Sequence, residues 1–163
     1  MTTNTEQWND FSARGDLDGI KVLHKRNVRG CTTEAMDLAA KNGHFKTMVW
    51  LHENRPEGCS IHAIEFAAEN GHFEIVEWLY ECFLQYFEYS KISELAMPMA
   101  AENGHYDIVV YLAKKQMERT IGSFTDAIGS ASDAEANTGI DNTKIIDYLE
   151  KWEFELISIE QRM

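Results

Sequence analysis

The sequence predicts an all-α repeat solenoid of about five helix pairs with degenerate terminal caps, and three observations carry that prediction. Asn-Gly-His followed by an aromatic residue recurs at Asn42, Asn70 and Asn103, 28 and then 33 residues apart, and a period of that length marks a stacked repeat. A pair of alanines precedes each copy: Ala39-Ala40, Ala67-Ala68 and Ala100-Ala101. After each copy comes an aliphatic and aromatic stretch with helical spacing. The aligned strips read AMDLAAKNGHFKTMVWL from Ala35, AIEFAAENGHFEIVEWL from Ala63 and AMPMAAENGHYDIVVYL from Ala96.

Two weaker copies flank these three. GDLDGIKVLHKRNVRGC, ending at Cys31, matches GHFKTMVWLHENRPEGC, ending 28 residues later at Cys59. At the other end AIGSAS from Ala127 resembles the alanine strip, and IIDYLEK from Ile145 resembles IVVYLAK from Ile108. The prediction is one domain over 1–163 with units near 6–30, 31–58, 59–91, 92–122 and 123–163. About six extra residues of the last unit fall within 133–142.

Each unit reads as two helices. In the second unit the first helix covers about Ala35 to Lys41 and stops at Asn42-Gly43, because glycine takes the left-handed cap conformation without strain. The second helix begins near Phe45, and Gly58 ends the connection that follows it. A helix of barely two turns is not stable alone in water, so neighbouring units must hold it. The alanine pairs keep the first helices thin enough for close stacking. Pro98 is expected in the first turn of a helix starting at Ala96, where its missing N–H has no intrahelical partner to lose. Ile75, Trp78, Leu79, Cys82, Phe83, Tyr86 and Phe87 continue the apolar pattern of the third unit for an extra turn.

The formal net charge of −12 repels phosphate backbones and anionic lipid, which excludes nucleic acid and membrane surfaces as expected partners. No signal peptide or membrane-length apolar run is present, and the three cysteines form no CxxC pair, which together predict a cytoplasmic protein with reduced thiols.

The Ala-Ala pair, the Gly-His turn and the following Ile-Val/aromatic-Leu helix resemble ankyrin repeats, clearly over Cys31 to Lys115 and loosely at the ends. WLHENRPEGC from Trp50 is similar to the short, finger-less variety. Two departures stand out. Glu34-Ala35-Met36-Asp37 and His62-Ala63-Ile64-Glu65 occupy the place of the usual Thr-Pro-Leu-His opening, and a 28-residue period leaves no room for the long β-hairpin finger. The resemblance implies a scaffold that binds proteins, and the absent fingers move binding toward the helical faces.

Candidate residues follow from repeat position. His44, His72 and His105 form a ladder one helix spacing apart, about 8–10 Å, too far for convergence on one metal at about 2.1 Å. They are expected to satisfy backbone groups at the turn, and no metal or cofactor is expected. Trp50, Trp78, Tyr111 and Tyr148, with Val22 at the matching place, are expected to form an apolar spine between units. Cys31, Cys59 and Cys82 are expected as small buried hydrophobes. No nucleophile–base pair, phosphate loop or metalloprotease motif occurs, so no enzyme activity and no catalytic residue is expected.

Recognition is expected in two places. The outward side of the first helices carries Glu34, Asp37 and Lys41, then His62, Glu65 and Glu69, then Leu95, Pro98 and Glu102; it suits a basic protein, with plain solvation as the alternative. The aromatic tip Phe83, Tyr86, Phe87 and Tyr89 suits an amphipathic partner, unless it folds over the fourth unit. WEFELISIE from Trp152 permits either a continuing helix or an extended strand, and either covers the end of the stack or provides a homodimer contact. The function expected is a protein-interaction module, adaptor or inhibitor, acting as a monomer. The alternative is a self-assembling structural module.

Overall fold

A computed structural model describes residues 3–83, 89–117 and 124–160. Ten helices are described, with no strand among the described residues. They run α1 (Asn4–Arg14), α2 (Leu17–Lys25), α3 (Thr33–Lys41), α4 (Phe45–Asn54), α5 (His62–Glu69), α6 (Phe73–Phe83), α7 (Tyr89–Glu102), α8 (Tyr106–Met117), α9 (Thr125–Thr138) and α10 (Thr143–Glu160). The chain forms two compact groups, Met1–Glu81 and Cys82–Met163.

In the first group α1 packs on α3 and α3 on α5, with α2 and α4 as a second layer. Small residues permit the first layer: Ala35, Ala39, Ala40, Ala63, Ala67 and Ala68 are all fully buried. Larger side chains fill the space toward the second layer, among them Trp8, Ile20, Met36, Met48 and Leu51. Thr3 and Glu6 close a reciprocal capping box at the start of α1, satisfying two of its free amides.

The turn between paired helices is built the same way four times. Glycine at 15, 43, 71 and 104 takes φ between 67° and 76°. The next residue donates its N–H back to the carbonyl five positions earlier, as in His44 to Ala39 and His72 to Ala67, both 2.9 Å. Asn42, Asn70 and Asn103 each donate Nδ2 to a carbonyl four residues back, at 2.8–2.9 Å.

The histidine then reaches across units. His44 Nε2–H is donated to the Ala13 carbonyl of α1 at 3.0 Å, and His72 Nε2–H to the Lys41 carbonyl of α3 at 3.0 Å. Each ring lies close against the preceding unit's glycine: a Cβ on Gly15 would sit 2.5 Å from His44 Nδ1, and one on Gly43 2.7 Å from His72 Cε1. Glycine is therefore required twice over, for its dihedral and for its lack of a side chain.

In the second group α7 packs on α8 and α9, and α10 on α8 and α9. Ala96, Ala100, Ala101, Ala127 and Ala131 repeat the thin interface, with Ile108, Leu112, Phe124, Ile145 and Leu149 filling the core. Asn142 takes the place of the histidine ahead of α10. Its Nδ2 is donated to the Ala131 carbonyl at 3.1 Å, and its Oδ1 lies 3.2 Å from where a Gly104 Cβ would be.

One expectation changes and two points that the sequence left open are resolved. Pro98 lies inside α7, which begins seven residues before Ala96, so the helix forgoes one N–H donor in mid-course instead of in its first turn. The extra residues after Asp133 lengthen α9, where Ala134 is buried and the helix runs on to a left-handed Gly139 cap. The C-terminal segment is helix, continuous with α10 through Glu160. The extra turn proposed for 84–88 lies outside the described residues.

The turn makes a quantitative prediction. Gly43→Ala is expected to destabilise the protein by about 1–3 kcal/mol, the range for a non-glycine residue held at positive φ, and His72→Ala by about 0.5–1.5 kcal/mol through the loss of its hydrogen bond to the Lys41 carbonyl. Because both act on one contact, the double variant should lose less than the sum in urea unfolding.

Candidate protein-binding face

Burial divides the strip that the repeat places outward on the first helices. Asp37 is 8% exposed and Glu65 5%, so these two leave the recognition surface that repeat position assigned to them. For Asp37 the reason is hydrogen bonding to the connector that follows its unit. Asp37 Oδ1 accepts the Ser60 backbone N–H at 2.8 Å and Oδ2 the Ser60 hydroxyl at 2.7 Å, while Ser60 Oγ accepts the His62 N–H at 3.1 Å. One period earlier Asn9 Nδ2 is donated to Glu34 Oε2 at 2.7 Å. This repeat position ties a first helix to the start of the next one. Burial raises the Asp37 carboxyl above the ordinary range, outweighing the two Ser60 hydrogen bonds that act to lower it.

Glu65 serves its own helix. Its Oε2 accepts from His62 Nδ1 at 2.7 Å, with 61% of the His62 side chain exposed. That bond and the negative charge beside it raise the imidazole's affinity for its proton.

Glu34 and Lys41 remain exposed and Glu69 is half-buried. Lys41 Nζ stands 4.9 Å from the centre of the Phe66 ring, and the His62 ring lies 5.8 Å away on tilted planes. Phe66, half-buried, is a surface anchor that sequence position did not single out. The signal was present, because Leu38, Phe66 and Met99 share one repeat position. The face thus offers carboxylates around a cation-covered aromatic ring, a combination that forms ion pairs and apolar contact together. In the second group Leu95 is 52% exposed, Glu102 is exposed and Pro98 half-buried. Tyr86 and Phe87, and the side chains of Phe83 and Tyr89, lie outside the described residues.

The other ladders are structural where described. Trp50 meets His24 edge-on at 5.3 Å, and Trp78 meets His52 at 5.0 Å and Phe45 at 6.3 Å. Tyr148 contacts Tyr106 at 6.0 Å. This spine runs half-buried along the second helices, and Val22 at its start is 46% exposed. All three cysteines are free thiols. Cys31 is buried, which pushes its thiol up, whereas Cys59 and Cys82 are half-buried, against the expectation of full burial. Cys31 shares its site with Arg55, which sits 5.1 Å from the Trp8 ring centre and is paired through two nitrogens with Glu57.

Residues 36–80 match the family model for ankyrin repeats occurring in many copies. The match begins within α3 and ends within α6, across the His72 contact. No curated protein matches the chain.

Two predictions separate the two kinds of acidic residue. Asp37→Lys or Glu65→Lys is expected to cost about 3–5 kcal/mol in urea unfolding, the range for an uncompensated buried charge, whereas Glu34→Lys should change stability by no more than about 0.5–1 kcal/mol. His62 should titrate by NMR above about 6.5, and Glu65→Gln should lower its midpoint. A raised folded value means that the His62–Glu65 contribution to stability is complete below about 6.5 and disappears as pH rises through the folded midpoint.

Proposed function

We propose that this chain, which carries ankyrin repeats, is a protein-binding adaptor or inhibitor whose first-helix face takes a basic protein partner. The ankyrin match is the observation that carries the reading, because ankyrin repeats generally mediate protein–protein interaction. The direction of charge narrows it. With a net charge of −12 and carboxylates exposed at Glu34 and Glu102, lysine- or arginine-bearing surfaces are drawn in and acidic ones repelled. Lys41 over Phe66 adds a flat contact for an apolar or aromatic side chain beside those charges.

Asp37 and Glu65 do not belong among the contact residues, since reversing them tests the fold. The informative variant is Glu34→Gln with Glu69→Gln and Glu102→Gln. Affinity capture followed by direct titration of the captured protein is expected to show binding at least about tenfold weaker for this variant, with a reduced salt dependence and an unchanged melting temperature. Unchanged affinity would contradict the acidic-face reading.

A further inference from the structure

The last helix departs from its repeat in length and in what it exposes. α8 and α10 each begin one residue after their turn residue, His105 and Asn142. α4, which likewise begins one residue after its histidine, has 10 residues and α10 has 18, so α10 extends about 12 Å beyond that length at about 1.5 Å per residue. Phe154 and Ile157 are in that extension, one turn apart, and are 72% and 46% exposed. Repeat stacking does not account for them: the buried side of α10 is formed by Ile145 and Leu149, and Phe154 lies on the opposite side of the helix with Ile157 about a quarter-turn from the buried side.

The surroundings of this apolar step are acidic. Asp147 and Glu150 precede it on the same outer stripe and Glu155 flanks it, all exposed and none paired within the described residues. Glu153 is committed elsewhere, accepting the Phe124 N–H at the entry to α9 at 2.7 Å. Lys151 leans over the Trp152 ring, 5.8 Å from its centre, and Lys144 sits at the far end of the helix. No helix among the described residues is long and apolar enough to cross a membrane.

We propose that the outer stripe of α10 is a second docking surface, and that its occupant is a basic amphipathic helix of a partner protein. Phe154 and Ile157 meet the apolar side of that helix, while Asp147, Glu150 and Glu155 meet its lysines and arginines. A second copy of this chain fits less well. It brings the same three carboxylates to the contact, and two apolar side chains per copy fall short of the roughly 20–30 residues a side of a stable dimer interface. The proposal rests on the reading of the chain as a protein-binding module and assigns part of that binding to a different surface.

The probe is a synthetic amphipathic helix of leucine and lysine, with its leucine–glutamate twin as control, titrated into the full chain by fluorescence anisotropy. Expected are binding of the lysine peptide only and at least about a tenfold loss of affinity for both Phe154→Ala/Ile157→Ala and Asp147→Asn/Glu150→Gln/Glu155→Gln. These side chains are exposed, so circular dichroism melts should match the parent. Affinity unchanged by the Phe154/Ile157 variant overturns the proposal. If the Glu34/Glu69/Glu102 variant alone weakens binding, the first-helix reading stands and this one fails. Sedimentation showing a dimer that Phe154→Ala/Ile157→Ala dissolves also overturns it, by making a second copy the occupant.

Discussion

Where α1 and α3 end, one imidazole does the work of joining each unit to the next. His44 and His72 each lie on the glycine of the unit before and give Nε2–H to a carbonyl in the last turn of that unit's first helix. A helix C-terminus leaves several carbonyls without partners, and here the next unit supplies one. Helices of eight to eleven residues are too short to persist by their own backbone bonds. Their alanine faces bury little area per residue, so the polar contact at the turn and the close approach of α1, α3 and α5 depend on each other.

That arrangement determines which polar groups are left for recognition. The connector residue Ser60 folds onto α3 and engages Asp37, while Asn9 at the same repeat position one unit earlier bonds Glu34 in the first turn of α3. Glu65, at the same position, instead secures His62 at the head of α5. What stays exposed is one step away: Glu34, Lys41 and the stack of Lys41 on Phe66. Groups that hold the fold and groups left exposed therefore share one helix face and divide it by position within the turn.

Most of the architecture was legible in the sequence, because a period of 28 residues repeats both the alanine pairs and the Asn-Gly-His turn, and each has a single physical interpretation. The boundaries of α3 and α4 followed from Gly43 and Phe45. The burial of Asp37 was not legible, because helical spacing specifies the side of a helix but not whether a connector from the next unit covers it. Ser60 does the covering; Thr32 and Ser93 share its repeat position, which alone does not reveal the contact. The position of Pro98 was misplaced for a related reason: the start of α7 lies among 89–95, where the repeat pattern has no counterpart. α9 and α10 outgrow the period in the same way, through alanine-rich and apolar additions that local propensity alone leaves ambiguous. Cys59 shares its repeat position with Cys31 yet is only half-buried, which repeat position alone does not reveal.

The claim on which the account turns is that His44 and His72 join successive units through a protonated Nε2. Nitrogen–proton correlation of the imidazole rings by NMR tests it most directly. The account predicts that both rings are Nε2–H tautomers whose ring protons exchange slowly with water. Nδ1–H tautomers, or ring protons exchanging as fast as those of free imidazole, would contradict it.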